Sequence, residues 1–409
     1  MYPIEPEGSG VDLPRTCDAV VIGGGCMGTS AAYHLARRGL RVVLCEQGDL
    51  ASGTTGRSSG IVRTHYTVPT LVRMAVEALD AFRHWSEHYP GVSGFRETGF
   101  LVLLDPGNTS AAEKNVAMQR SFGAEVEVLR DKDLDALLPG VFLDDVGVAA
   151  YEPLSGYADP YLTASALALG ARDLGAVVAT HTAVREITLG AGGRVAGVRT
   201  NAGDVSCPIV VNCAGNWADR LSSPLGLALP VHPQRESVLL FDLPANQPEP
   251  PIVIDMVNLD YFRPDGNGRL LFGDEDHTLS ELHPALSEPD GGSDRVDQIA
   301  VENAADKLIR RIPAFGDAFL RPTGYTGCYE VTPDFQPVIG EPSEIPGYLY
   351  AAGFSGHGFK LTPVMGRLLS DWIVDGAPSI SLKEFDVQRF SEGRTIESAH
   401  PYRSAHGLI

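Results

Sequence analysis

The chain has no CxxC pair, no apolar run of about 18 residues and no excess of basic residues. Each absence removes a class of protein. Without a long apolar run, no transmembrane helix is expected. The opening stretch, residues 1–16, has neither the basic start nor the apolar core of a signal peptide, so it reads as a flexible leader on a cytoplasmic protein. Asp and Glu number 52 against 32 Lys and Arg, leaving a net charge of −20. That field repels phosphate backbones and anionic lipid, so neither nucleic acid nor a membrane is an expected partner. Cys17, Cys26, Cys45, Cys207 and Cys213 lie mostly in apolar strand-like runs, where cysteine acts as a small hydrophobe; Cys328 stands apart in a Gly-rich turn. Neither disulfides nor a metal site is expected.

What remains is a 409-residue globular chain, 44% hydrophobic and 21% charged, enough for two or three domains. Asp18-Ala-Val-Val-Ile-Gly-Gly-Gly reads as a buried strand entering a glycine turn, with a helix over 27–38 and a second strand over 41–46. The small residues Ala31, Ala32 and Ala36 let that helix lie close against a parallel sheet. A further helix over 162–175 leads into a strand over 177–187. Two more strands enter glycines, at 209–215 and 348–353, the latter followed by a helix to about 374. Between these pieces, 91–140 and 226–324 mix strands with polar and Pro-rich loops, and 277–294 reads as an acidic surface loop. The fold class is α/β, α+β overall: a Rossmann-type domain with an inserted mixed sheet.

Gly23, Gly25 and Gly28 form GxGxxG between a strand and a helix, where free amides and the helix dipole suit a pyrophosphate. Glu46, eighteen residues beyond Gly28, suits a free ribose hydroxyl and disfavours a 2′-phosphate. This pattern fits NAD or FAD. The small-residue loop from Leu50 to Gly60 can wrap an extended cofactor, although a surface linker has the same composition. The run from Gly353 to Lys360 puts glycines and a lysine at a second helix start, a place suited to an anion or a flavin edge.

The motifs VVIGGGCMGTSAAYHLARRG, ASGTTGRSSGIVR, TGCYEVTPDFQPVIG and AAGFSGHGFK, in this order, resemble the D-amino-acid-oxidase-type flavoproteins. The branch holding sarcosine oxidase and the dimethylglycine-dehydrogenase-like amine oxidoreductases is the most similar. The resemblance implies a glutathione-reductase-like FAD domain over 17–90, 141–225 and 325–380, a substrate domain over 91–140 and 226–324, and a tail over 381–409. It implies FAD contacts from Gly23, Gly25, Cys26, Met27, Gly28, Glu46 and Gln47. Ser52, Gly53, Thr54, Arg57, Ser58, Ser59 and Gly60 follow in the loop, then Val184, Ala214, Gly215 and Trp217, and at the far end Gly356, His357, Gly358, Phe359 and Lys360. Arg63 and Lys360 would hold a substrate carboxylate. Tyr261 and Tyr329 would line the pocket, with core packing as an equal alternative, and His357 would stand near the flavin or be structural.

Departures from the family pattern limit what carries over. The family's covalent tethers fall on Gly327, on about Arg57 and on about Pro160, none of which can make the link, so FAD is expected to be non-covalent. The lysine that activates oxygen falls at about Leu271. Oxygen and a separate electron acceptor are therefore nearly balanced, with oxygen slightly ahead. The resemblance implies oxidation of the C–N bond of a secondary or N-methylated amino acid by hydride transfer to flavin N5, giving an imine that water hydrolyses. The alternatives are a D-amino-acid or 2-hydroxy-acid dehydrogenase on the same scaffold, a flavin-carrying subunit of a larger complex, and, disfavoured by charge, a tRNA-modifying flavin domain.

Overall fold

The computed structural model describes residues 12–276, 295–317 and 322–403. The acidic loop expected over 277–294 and the leader residues 1–11 lie outside the described residues. Six short strands build the first sheet in the order Val338–Gly340, Tyr348–Ala352, Val210–Asn212, Ala19–Ile22, Val42–Cys45, Val177–Ala179. All neighbours are parallel except Val338–Gly340, which turns back on the edge. The central strands are apolar at nearly every position because both faces are covered. Ala19 and Val21 face the Cys26–Arg37, Pro160–Asp173 and Thr362–Asp375 helices; Val20 and Ile22 face a three-stranded antiparallel sheet of Val184–Leu189, Val195–Thr200 and Gly203–Ser206. Small residues let the helices meet: a Cβ on Gly366 would lie 2.2 Å from Ser30 Oγ, which itself donates to Thr362 O at 2.6 Å.

The second sheet has eight strands, in the order Thr323–Val331, His232–Asp242, Arg269–Asp274, Asp260–Gly266, Ile252–Asp255, Phe100–Leu104, Val148–Glu152, Glu127–Leu129. It is mixed, since Ile252–Asp255 and Phe100–Leu104 run parallel while every other pair is antiparallel. Leu101, Leu103, Phe262 and Phe272 pack on the Gln298–Arg311 helix, and Phe100, Val102 and Leu104 pack on the Thr109–Ser121 helix. Among the described residues no helix is long and apolar enough to cross a membrane.

Several elements differ from the sequence reading. The single strand expected over 177–187 is two strands in two sheets, broken where His181 takes a φ of 53°. Val148–Glu152 and most of Thr323–Val331 lie in stretches grouped by sequence with the FAD domain, yet they hydrogen-bond into the eight-stranded sheet. Chain order alone does not reveal such exchange between layers. Thr16, placed in the leader, bridges to Ser206. The stretch after 380 is built into the body: Phe385 and Leu382 are buried, and the buried Arg389 pairs with Asp334 at 2.9 Å.

Candidate functional site

A cleft of about 800 Å³ runs between the two sheets. Its floor is the turn after Ala19–Ile22. Gly25, the residue that caps the Cys26–Arg37 helix, has φ −77° and ψ −177°, an extended conformation open to any residue, so its need for glycine is one of space. A Cβ there would lie 2.9 Å from Thr55 Oγ1 on the cleft wall. Gly28 answers a different need. A Cβ on it would stand 1.9 Å from the carbonyl of Gly23, so it seats the helix on the strand and faces away from the cleft. The Cys26 amide donates to Thr55 Oγ1 at 3.0 Å, and Glu46 accepts from the amides of Gly24 and Gly48 at 2.6 and 2.7 Å. Those two bonds lock Glu46 beneath the turn and leave its oxygens with lone pairs to spare.

Gly23, Cys26, Met27 and Gln47 line the same cleft, as do Ser52, Gly53, Thr54, Arg57, Ser58 and Ser59 of the loop. From the far side come Val184, Ala214, Gly215 and Trp217, and from the C-terminal turn Gly356, Gly358 and Phe359. Gly60 is set back, with φ 69° and a Cβ position 2.2 Å from Ala158 O. Arg57 abuts Gly327, whose added Cβ would lie 3.0 Å from Arg57 Cβ, so two of the positions matched to covalent tethers are neighbours in space.

Tyr261 and Tyr329 meet on the cleft wall, their hydroxyls hydrogen-bonded to each other, and burial raises both phenols above the ordinary range. Gly356 lies flat under Tyr329, where a Cβ would be 2.6 Å from the ring, and Gly273 lies under Tyr261. Arg63, His357 and Lys360 form a buried group one step behind this wall, Lys360 following directly on Phe359. The Arg63 guanidinium sits 4.5 Å from the centroid of the Tyr66 ring and Lys360 Nζ 5.8 Å from it, so one aromatic ring serves both cations. Lys360 Nζ donates to His357 O at 3.2 Å. Burial, then Arg63, lowers the Lys360 ammonium well below its usual range, with Glu275 and Glu152 opposing. His357 is pushed down to about 3 by burial and Lys360; neutral, it donates from Nε2 to Phe335 O at 2.8 Å, and Tyr66 Oη lies 3.2 Å from its Nδ1.

Sequence reasoning missed Thr55, Tyr66, Glu152, Asn216 and Glu330. Glu152 is buried beside the cations and accepts from the Thr64 amide, Thr64 Oγ1 and Ser155 Oγ at 2.8, 2.8 and 2.5 Å. No motif announces it, because it sits in an ordinary strand far along the chain. Asn216 and Glu330 adjoin residues that the motifs did single out. The orphaned polar oxygens of these two in the cleft and its volume of about 800 Å³, with Gly25, Glu46 and Phe359 in the lining, fit a dinucleotide such as FAD. Leu271, by contrast, is buried in an apolar cluster with Tyr261, Tyr157 and Ile61.

Known proteins agree with this reading of the cleft. The chain is 31% identical over 393 residues to the mitochondrial pyruvate dehydrogenase phosphatase regulatory subunit of Mus musculus, covering 94% of this chain and 44% of that one. It is 28% identical to mouse mitochondrial dimethylglycine dehydrogenase, covering 93% and 45%. The chain thus spans about half the length of the curated relatives it matches. A crystal structure of L-proline dehydrogenase from P. horikoshii superposes with a TM-score of 0.84 at 26% identity, covering 94% of this chain and all of that one. Residues 18–372 match the model of the DAO family, described as FAD dependent oxidoreductase. The chain belongs to the DAO family of FAD-dependent oxidoreductases.

Proposed function

We propose that this protein oxidises the C–N bond of an amino acid whose nitrogen is secondary or N-methylated, using one non-covalently bound FAD per chain. The observation that carries this reading is the pair of buried cations, Arg63 and Lys360, both against the ring of Tyr66 and next to the glycine turn of the cleft. The two cations are withdrawn from water beside the buried Glu152, and a substrate carboxylate would add charge-assisted bonds to them. When bound, FAD supplies the two-electron oxidising power for the α-C–H bond. The chain's own part is orientation: Arg63 and Lys360 fix the carboxylate, while Tyr261 and Tyr329 exclude water and narrow the approach. Glu152 keeps the cation pair in balance. Dimethylglycine and proline, named in two of the relatives, are both amino acids of the proposed kind.

The electron acceptor belongs to the same proposal. Sequence slightly prefers oxygen; we propose a separate acceptor instead, a reading supported by Leu271, which lies among apolar side chains and brings no charge to stabilise forming superoxide. Anaerobic bleaching of the bound flavin by a panel of N-methyl, cyclic and D-amino acids tests the substrate class. A second reading, a flavin-carrying subunit without amine chemistry, is favoured by the likeness to a regulatory subunit and predicts that no member of the panel bleaches the flavin.

A further inference from the structure

Among the described residues, the buried polar side-chain atoms without a partner include two on the cleft wall, Asn216 Oδ1 and Glu330 Oε2. Leaving such atoms unsatisfied costs about 1–3 kcal/mol each. The Asn216 amide is oriented by its own bonds: Nδ2 donates to Cys328 O at 3.2 Å and Thr54 Oγ1 at 3.4 Å, so Oδ1 is left as an acceptor. Glu330 follows Tyr329 on its strand, and its Oε2 lies 3.2 Å from where a Cβ on Gly215 would stand. Burial pushes its carboxyl up to about 7, against the backbone amides of Phe354 and Gly353, which favour the charged form. Facing it are the thiols of Cys26 and Cys213, both kept protonated by burial. Across the sheet stand Pro233 and its exposed neighbour His232.

Both residues line the cleft. Asn216 is tied through Thr54 to the loop that supports the dinucleotide turn, and Glu330 through Gly353 and Phe354 to the turn at the other end. A ligand group satisfying both must give a hydrogen to Asn216 and exchange one with Glu330. Phosphate oxygens only accept, which excludes the pyrophosphate as the partner of Asn216 Oδ1. A chain of hydroxyls donates and accepts at every carbon. We propose that Glu330 and Asn216 hold the polyol linker of FAD, between the flavin ring and the pyrophosphate.

This inference rests on the non-covalent attachment proposed above. Acid precipitation separates the two: colour that stays with the pellet breaks the attachment reading, whereas the linker reading is decided on the apoprotein. FAD affinity is measured by flavin fluorescence, with ADP, which ends before the linker, as competitor. Glu330→Ala and Asn216→Ala each weaken FAD severalfold and leave ADP unchanged, whereas Glu330→Gln, which keeps a donor and an acceptor, stays close to the wild-type value. An equal loss of FAD and ADP in either alanine variant overturns the proposal, as does an unchanged FAD affinity in both.

Discussion

Alanine at Gly25 and alanine at Gly28 should have opposite consequences, although the two glycines belong to one motif. At Gly28 the new methyl would stand 1.9 Å from the Gly23 carbonyl, and that oxygen is part of the backbone, so no side chain can swing aside. The Cys26–Arg37 helix must withdraw by about 1 Å from the sheet before the contact is tolerable. Overpacking of this kind costs about 1–3 kcal/mol, and more where backbone is involved, against about 1 kcal/mol regained by replacing a helical glycine. A net loss of about 2 kcal/mol lowers the Tm of an apoprotein of 409 residues by about 2–3 °C. At Gly25 the backbone is already extended, but the methyl would stand 2.9 Å from Thr55 Oγ1, which accepts from the Cys26 amide, so Thr55 must shift and the apoprotein Tm should fall by about 1 °C, less than in Gly28→Ala. What is lost is close backbone approach to the pyrophosphate. Forfeiting one charge-assisted bond, about 1.5–3 kcal/mol, weakens FAD ten- to hundredfold. Differential scanning fluorimetry of the apoproteins, together with flavin titration, reads both effects. An unchanged FAD affinity in Gly25→Ala, or equal apoprotein destabilisation by the two variants, would falsify this division of roles.

The remaining predictions are shorter. Denaturation in acid should leave the flavin in the supernatant, since Gly327, Arg57 and Pro160 cannot form the links known for the family; colour in the pellet refutes non-covalent attachment. Arg63→Met or Lys360→Met should lower kcat/KM for carboxylate substrates by roughly ten- to hundredfold and spare amines without a carboxylate; equal losses on both would remove the clamp. Substrate-reduced enzyme should recover its colour at once with an added dye or quinone and only slowly in air, and stoichiometric peroxide formed at the turnover rate would assign an oxidase instead. Burial raises the Asp334 carboxyl, but its bonds to Arg389 and the Ile396 amide prevail and hold it below its ordinary 3.8. Its stabilisation is therefore complete above 3.8 and is lost as pH falls through the lower folded value. Asp334→Asn should expose residues 381–403 to protease at neutral pH, with a cost of about 3–5 kcal/mol.

What was legible in the sequence is what local chemistry writes into consecutive residues. The turn from Gly23 to Gly28, the loop from Ser52 to Ser59 and the run from Gly353 to Lys360 each pair glycine with a strand end or helix start, and they meet on one cleft. The parts that were not legible depend on distant partners. Glu152 balances Arg63 and Lys360 from a strand whose residues look like any half-buried strand, and nothing nearby in sequence marks it. Val148–Glu152 joins the second sheet because Phe100–Leu104 offers it an open edge, a pairing that residue order does not specify. His181 breaks the expected strand by adopting a left-handed φ of 53°, uncommon outside glycine though less so for histidine than for most residues, and apolar runs on both sides read as continuous strand. The tail is the strongest case. Its sequence is polar, yet Arg389 finds Asp334, and Tyr402 finds His65 at 3.0 Å, two residues from Arg63. A segment that reads as surplus thus supports the cation pair from behind. The chemistry of this protein is written in its motifs, while the rigidity that chemistry needs comes from residues whose meaning appears only on folding.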